Sequence, residues 1–273
     1  LYIYVEDNMS FIKKSHETPL CLLEDSKQFN DYDYCLPHLL DKEPEYEDYF
    51  RRAKEEGRYI IMDNSLHELG EAYDWERLIY WINELKPNEF IVPDVWENAN
   101  LSISNAEKWA NMKDWPEGVM KVAVVQGIGL HDLIRCYESY KQLGYKKIAF
   151  PYGLTFYAKY VKHPNVDMAK MLGRISIITH FHNVKIISQG DKVHLLGCCL
   201  PQEFLYYQGF TFIDTIDTSN PIIATIEGTK YKEYGLITKP KTRIDDVMYI
   251  EPEKIDYQLL TYNLEYFNKL NKL

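Results

Sequence analysis

Three short runs decide how this chain is read: YIIMD (Tyr59–Asp63), FIVPD (Phe90–Asp94) and VMKVAVVQ (Val119–Gln126). Each is an apolar, β-rich stretch that finishes on a polar side chain. Such runs read as buried strands, and strands that alternate with helical segments read as repeated βα units around a parallel sheet. The intervening segments fit. After the first run, Trp75, Leu78, Ile79, Ile82 and Leu85 share one helical face, with Asp74 placed to cap its N-terminus. After the third, Leu130, Leu133, Ile134 and Tyr137 repeat the spacing.

Working outward, further strands are expected at Lys147–Pro151, Ile175–Thr179, Val184–Ile187, Val193–Gly197 and Phe212–Asp217, although Ile175–Thr179 also reads as the end of a helix. Pro201 suits the first turn of a helix running through Phe204 and Leu205, where its missing N–H costs nothing. A terminal helix is expected over 255–270. Residues 1–58 carry less pattern: LYIYV at the start reads as a strand, and Tyr46 to Glu56 as a helix. The expected fold is α/β, a TIM-like (β/α) barrel in a single domain over residues 1–273, close to the about 250 residues such a barrel needs.

Composition narrows the class. With 46% hydrophobic and 26% charged residues the chain can bury a full core. Five scattered cysteines, two of them adjacent, do not form a disulfide framework and point to a reducing, cytoplasmic setting. The first residues lack the basic flank and apolar run of a signal peptide, and no membrane-length apolar stretch follows. A net charge of -10 argues against a surface basic all over, so contact with nucleic acid would need a local patch. The candidate is Lys230, Lys232, Lys239, Lys241 and Arg243, interrupted by one acid, Glu233; a solvated loop is the alternative.

The polar strand ends carry the chemistry. In a parallel barrel all strand C-termini open on one face, so Asp63, Asp94, Gln126 and Asp217 are expected to converge there. Aspartates often follow strands as turn residues or helix caps, but a glutamine is poorly explained that way. Carboxylates at two stations permit covalent displacement at a sugar carbon: one attacks the anomeric centre while the other protonates the leaving group. A carboxylate and an amide together also suit the edge of a purine.

The segments VVQGIGLHDLIRC (Val124–Cys136) and HLLGCCLPQEFLYYQGFTFIDTIDTSNP (His194–Pro221) resemble motifs of the tRNA-guanine transglycosylase superfamily: its VQG strand, its YLMGVGxPxDL turn and its GIDMFDCVLP strand. The resemblance covers Tyr59 to Pro221. It implies that Asp217 is the nucleophile, Asp63 the acid/base residue, and Asp94 and Gln126 the readers of the base. It further implies that Gly197 offers backbone to the base, that Gly153 lies in a substrate turn, and that Asn64 and His67 face the base. The tRNA enzymes' C-terminal Cys and His zinc motif has no counterpart, DNS (Asp63–Ser65) replaces DSGG, and no arginines stand directly after Asp217 where the family's PTRSGR contacts RNA. Those departures are similar to the compact phage-type branch acting on DNA. The implied partners are DNA, with tRNA second, and a free 7-deazaguanine base; the implied cofactor and metal content is none, and a homodimer is compatible with it.

Two other classes compete. THFH (Thr179–His182) on a strand would present His180 and His182 to a metal, with His194, Cys198 or Asp214 as further ligands of a barrel hydrolase. A non-catalytic nucleic-acid-binding partner subunit is the other, though a scaffold needs no carboxylates in a pocket.

Overall fold

Apolar runs bounded by polar residues become the staves of a ring. The computed structural model describes residues 12–272 apart from 114 and 189, and within them the strands are β1 (Lys13–Ser15), β2 (Asp33–Cys35), β3 (Ile60–Met62), β4 (Glu89–Ile91), β5 (Met120–Val124), β6 (Lys147–Pro151), β7 (Lys192–Leu196) and β8 (Ile213–Asp217). Every pairing is parallel, in the order β1-β8-β7-β6-β5-β4-β3-β2. The sheet therefore curls until β1 faces β2. That seam is closed by residues 30 and 31. Asp31 N–H donates to the Lys14 carbonyl at 2.9 Å. The Asp31 carboxylate accepts from Lys14 N–H at 2.9 Å, and the Asn30 amide bonds both backbone groups of His16 at 2.7 and 3.0 Å. Side chains here substitute for a ladder. The result is a TIM-like α/β barrel.

Helices cover the outside. Trp75–Leu85 begins on Asp74, whose carboxylate accepts from Arg77 N–H at 3.0 Å, and buries Leu78, Trp81, Ile82 and Leu85. Leu130–Gln142 buries Leu133, Cys136, Tyr137 and Tyr140. Outward-facing Phe150 of β6 meets the rings of Tyr137 and Phe181 from two neighbouring helices, at 6.0 and 5.8 Å between centroids. The expected helix at Tyr46 to Glu56 is Pro44–Glu55, and the terminal one is Tyr257–Lys272. Among the described residues no helix is long and apolar enough to cross a membrane.

Two expected strands are absent. Ile175–Thr179 lies inside the helix Val166–Asn183, and Val184–Ile187 forms the turn after it. The apolar run misleads because this helix is buried on more than one face, with Ile175, Ile177, Ile178 and Phe181 all covered. The two vacant places in the ring are taken by β1 and β2, which at three residues each, KKS and DYC, have too little apolar length to announce themselves. LYIYV falls outside the described residues.

The end of the barrel away from the strand C-termini is plugged by charge. Lys147, fully buried, sits 2.8 Å from Glu89 and 2.9 Å from Asp214. Tyr59 donates to Glu89 at 2.6 Å. Asp214 reaches this group because the β7–β8 register skips: Val193 pairs with Ile213 and His194 with Thr215, leaving Asp214 as the extra residue of a bulge. Asp214 thus serves the Lys147 group at the barrel floor.

Removing a single member strands the others in a dry environment. Lys147→Met leaves Glu89 and Asp214 without their cation, and a loss of about 3–5 kcal/mol in urea unfolding is expected. A loss of less than about 1 kcal/mol, the range of an exposed pair, would show that the triad does not hold the barrel floor.

Candidate active site

β3 is buried throughout and delivers Asp63 to the mouth directly after Met62. One Asp63 oxygen accepts from the Tyr34 hydroxyl at 2.9 Å and the other from Ser65 N–H at 3.0 Å. Asn64 turns the other way. Its Nδ2 donates to the Val92 carbonyl at 3.0 Å and to Asp94 at 2.7 Å, while its Oδ1 accepts from Leu66 N–H at 2.9 Å. The second Asp94 oxygen accepts from Gln126 Nε2 at 2.6 Å, and Gln126 Oε1 accepts from Glu97 N–H at 2.9 Å. Asn64, Asp94 and Gln126 are therefore one amide–carboxyl–amide chain across the ends of three strands.

Asp217, the last residue of β8, stands on another wall. Its Oδ1 lies 2.9 Å from Nε2 of His194, whose Nδ1 lies 2.7 Å from the Thr215 hydroxyl. Gly197 N–H donates to the same carboxyl at 3.2 and 3.3 Å. Gly197 has φ of 67°, and a Cβ there would stand 2.4 Å from the Tyr152 ring, so the turn accepts only glycine without displacing that ring. The fully buried Arg174 fixes the same turn. It donates to the carbonyls of Phe150, Leu196 and Gly197 at 3.1, 3.2 and 2.9 Å while paired with Glu203 at 2.7 Å.

These walls enclose an open cavity of about 120 Å³ lined by Asp63, Asn64, Asp94, Gln126, Gly197 and Asp217 together. The sequence did not point to Glu17, Tyr34, Glu68, Trp96 and Tyr152, which also line it. Glu17 and Tyr34 follow or belong to the two strands with no sequence signature. Trp96 closes on Gly153, where a Cβ would lie 2.7 Å from the indole. His67 packs edge-on against Tyr152 with centroids 5.7 Å apart.

So many buried acids at one mouth disfavour their own ionisation. Burial, then the charge of Asp63, pushes the Asp217 carboxyl up to about 8, against the pull of Gly197 N–H. Burial also raises Asp94, to about 7, although its bonds from Asn64 and Gln126 favour the charged form. Asp63 rises for the same first reason, and Glu17 and Glu68 stand well above the usual carboxylate range through burial and each other's neighbours. His194 moves the opposite way, down to about 3, because burial and then Lys147 disfavour its cation. The imidazole is neutral.

The basic run divides. Lys239 and Arg243 line the mouth, Arg243 donating to the carbonyls of His67 and Glu68, whereas Lys230, Lys232 and Lys241 do not line the cavity. Lys230 instead covers the Tyr262 ring of the terminal helix at 4.0 Å. Gly197 spends its N–H on Asp217 and its carbonyl on Arg174. The metal alternative does not assemble. His180 and His182 lie on a helix, two residues apart and so on different faces, His182 against Phe210 and Phe212. His194 bonds Asp217 inside the barrel. Among the described residues no three metal-ligating side chains are grouped for an ion. Compared with models of known protein families the chain matches none, and no curated protein matches it in sequence.

The raised Asp217 carboxyl makes the site a cost to stability with a defined sign. The folded protein keeps a proton up to about pH 8 that the unfolded chain loses near its ordinary value of 3.8, so stability falls as pH rises between them. Asp217→Asn removes that titration. Its melting temperature is expected above that of the natural protein at about pH 8, with the gap narrowing towards about pH 4. A gap that is constant with pH, or reversed, would contradict the raised carboxyl.

Proposed function

We propose that this protein is a base-exchange glycosyltransferase that replaces guanine in nucleic acid, DNA ahead of tRNA, with a 7-deazaguanine derivative. The observation that carries the reading is the meeting of two differently held carboxyls, Asp217 and Asp63, beside an amide–carboxyl chain of Asn64, Asp94 and Gln126 in one cavity. The first pair suits displacement at an anomeric carbon. The second suits a purine edge, since Asp94 accepts from N–H donors and Gln126 both donates and accepts. The resemblance of Val124–Cys136 and His194–Pro221 to the transglycosylase motifs supports the roles of Gln126 and Asp217, which lie in those segments.

In this reading a guanosine is flipped out of its stack into the barrel mouth, at an extrusion cost of a few kcal/mol. Lys239 and Arg243 at the rim are placed to offset part of that cost on the flanking phosphates. The Asp217 carboxylate attacks C1′ as the C1′–N9 bond breaks, and the electron pair leaves with the base, which takes a proton from the Asp63 carboxyl. A covalent sugar ester on Asp217 remains. The incoming deazaguanine gives its N9 proton to Asp63 and attacks C1′, releasing the Asp217 carboxylate. Protons, charges and bonds balance over the cycle. The raised Asp63 carboxyl supports its part as proton donor, and the neutral His194 can stabilise the Asp217 carboxylate only by a hydrogen bond.

The preference for DNA rests on the missing tRNA-facing features. Incubation with labelled guanine and either DNA or tRNA is expected to place label in DNA, and Asp217→Ala and Asp217→Asn are each expected to abolish it. Label entering tRNA alone would reverse the substrate, and undiminished exchange in both variants would remove the nucleophile.

A pH profile provides a separate check. Because Asp217 must be ionised to attack while Asp63 still carries its proton, kcat/KM is expected to follow a bell in pH whose two limbs report the two carboxyls as a pair. Asp94→Asn, which trades an acceptor for a donor against the purine edge, is expected to lower kcat/KM by about a hundredfold. A flat profile across pH 6–9, or an Asp94→Asn variant of full activity, would count against these assignments.

A further inference from the structure

The two carboxyls assigned to the chemistry are each held by an aromatic side chain, and the two aromatics lie face to face. His194, fully buried, reaches Asp217 at 2.9 Å; Tyr34 donates to Asp63 at 2.9 Å. The imidazole and phenol rings stack with centroids 5.9 Å apart and planes 15° from parallel. Neither residue belongs to the motifs that carry the resemblance in an assigned role, and Tyr34 comes from a strand outside it altogether.

The chemistry of His194 is settled by its partners. When Asp217 is a carboxylate it can only accept, so Nε2 carries the hydrogen. A neutral imidazole has one N–H, so Nδ1 must then accept from the Thr215 hydroxyl at 2.7 Å. Asp217 therefore sets the tautomer, and the Thr215 hydroxyl, able to donate or accept, completes it by donating to Nδ1. A neutral donor also differs from a cation here. An imidazolium in contact with Asp217 would favour the carboxylate as an ion pair and blunt it as a nucleophile, whereas a neutral N–H orients it at less loss of reactivity.

We propose that His194 and Tyr34 form a stacked positioning pair, each donating one hydrogen bond to one of the two carboxyls, which sets the spacing and the roles of Asp217 and Asp63 across the cavity. The proposal rests on reading Asp217 as nucleophile and Asp63 as proton carrier. The charged and titratable groups around the pair come from every side. Asp217 also faces Glu17 after β1, Asp63 after β3, Gly197 N–H after β7 and, further off, Arg174. His194 also feels Lys147, Glu89, Asp63 and Asp214. Of these, Gly197 N–H donates to Asp217 and the Glu17 carboxyl shares a hydrogen bond with it, so loss of the His194 donor leaves that carboxyl with one fixed backbone donor and an acid neighbour.

The test compares His194→Phe, which keeps a stacking ring without the donor, with His194→Gln, which keeps a donor without the ring. Thr215→Val, which removes the hydrogen bond behind the imidazole, and Tyr34→Phe complete the set. Carboxyl NMR titration of Asp217 and Asp63 is read beside steady-state exchange and thermal melting. In His194→Phe the Asp217 titration is expected to move up by about one pH unit and kcat to fall about tenfold to a hundredfold, with KM for the nucleic acid within about twofold. His194→Gln is expected to recover most of the titration shift, Thr215→Val to move it part of the way, and Tyr34→Phe to move Asp63 rather than Asp217. Should His194→Phe fail to fold, Tyr34→Phe tests the pair through its other donor, and an unmoved Asp63 titration there overturns it. An unmoved Asp217 titration in a folded donor-less variant, or a Gln variant as impaired as the Phe one, overturns the pair. The titration needs no turnover: shifts as expected in a protein that exchanges no guanine would leave the pair standing and remove the transglycosylase reading instead.

Discussion

Strands that all run the same way must all finish at the same end, and a ring of them has only one mouth. The pleat adds a second restriction, because every other side chain points inward and the last inward residue of each strand meets its counterparts around the ring. Asp217 at the end of β8 shares a cavity for that reason with Asp63, Asp94 and Gln126, brought in just beyond β3, β4 and β5. The same geometry that assembles the site also crowds acids in a place with little water. The raised carboxyls of Glu17, Asp63, Asp94 and Asp217 follow from that crowding.

The rest of the molecule is arranged to fix that acidic mouth. At the far end, Lys147 neutralises Glu89 and Asp214 and ties β4, β6 and β8 together. At the near end, Arg174 reaches from an outer helix to three carbonyls at the ends of β6 and β7 while Glu203 satisfies its charge. That clamp fixes Gly197, whose N–H fixes Asp217. Buried ion pairs of this kind contribute little net stability against apolar substitutes, but they define one geometry sharply. In this barrel they locate a turn on which a reactive carboxyl depends.

Local pattern made much of this legible before any coordinates. Tyr59–Asp63, Phe90–Asp94 and Val119–Gln126 show their strands because a buried strand must be apolar and its end must turn. Asp74 shows its helix because an orphan N–H needs an oxygen. The convergence of Asp63, Asp94, Gln126 and Asp217 follows from direction alone once the sheet is known to be parallel. Ile175–Thr179 misled for an equally physical reason: a helix covered on several sides loses the periodicity that distinguishes it from a strand.

What the amino-acid order determined by itself was the alternation of strands and helices, their common direction and the polar residues at the strand ends, since each of these is set by neighbours within a few positions. Only the tertiary structure decided the rest. β1 and β2 exist because a closing ring supplies partners to three-residue segments that have no strand signature of their own. Asp214 turns to Lys147 because a bulge shifts one strand against the next, and Tyr34 stacks on His194 because residues far apart in sequence occupy one level of the ring. Register and closure are properties of the whole circle of strands, and no single stretch of chain contains them.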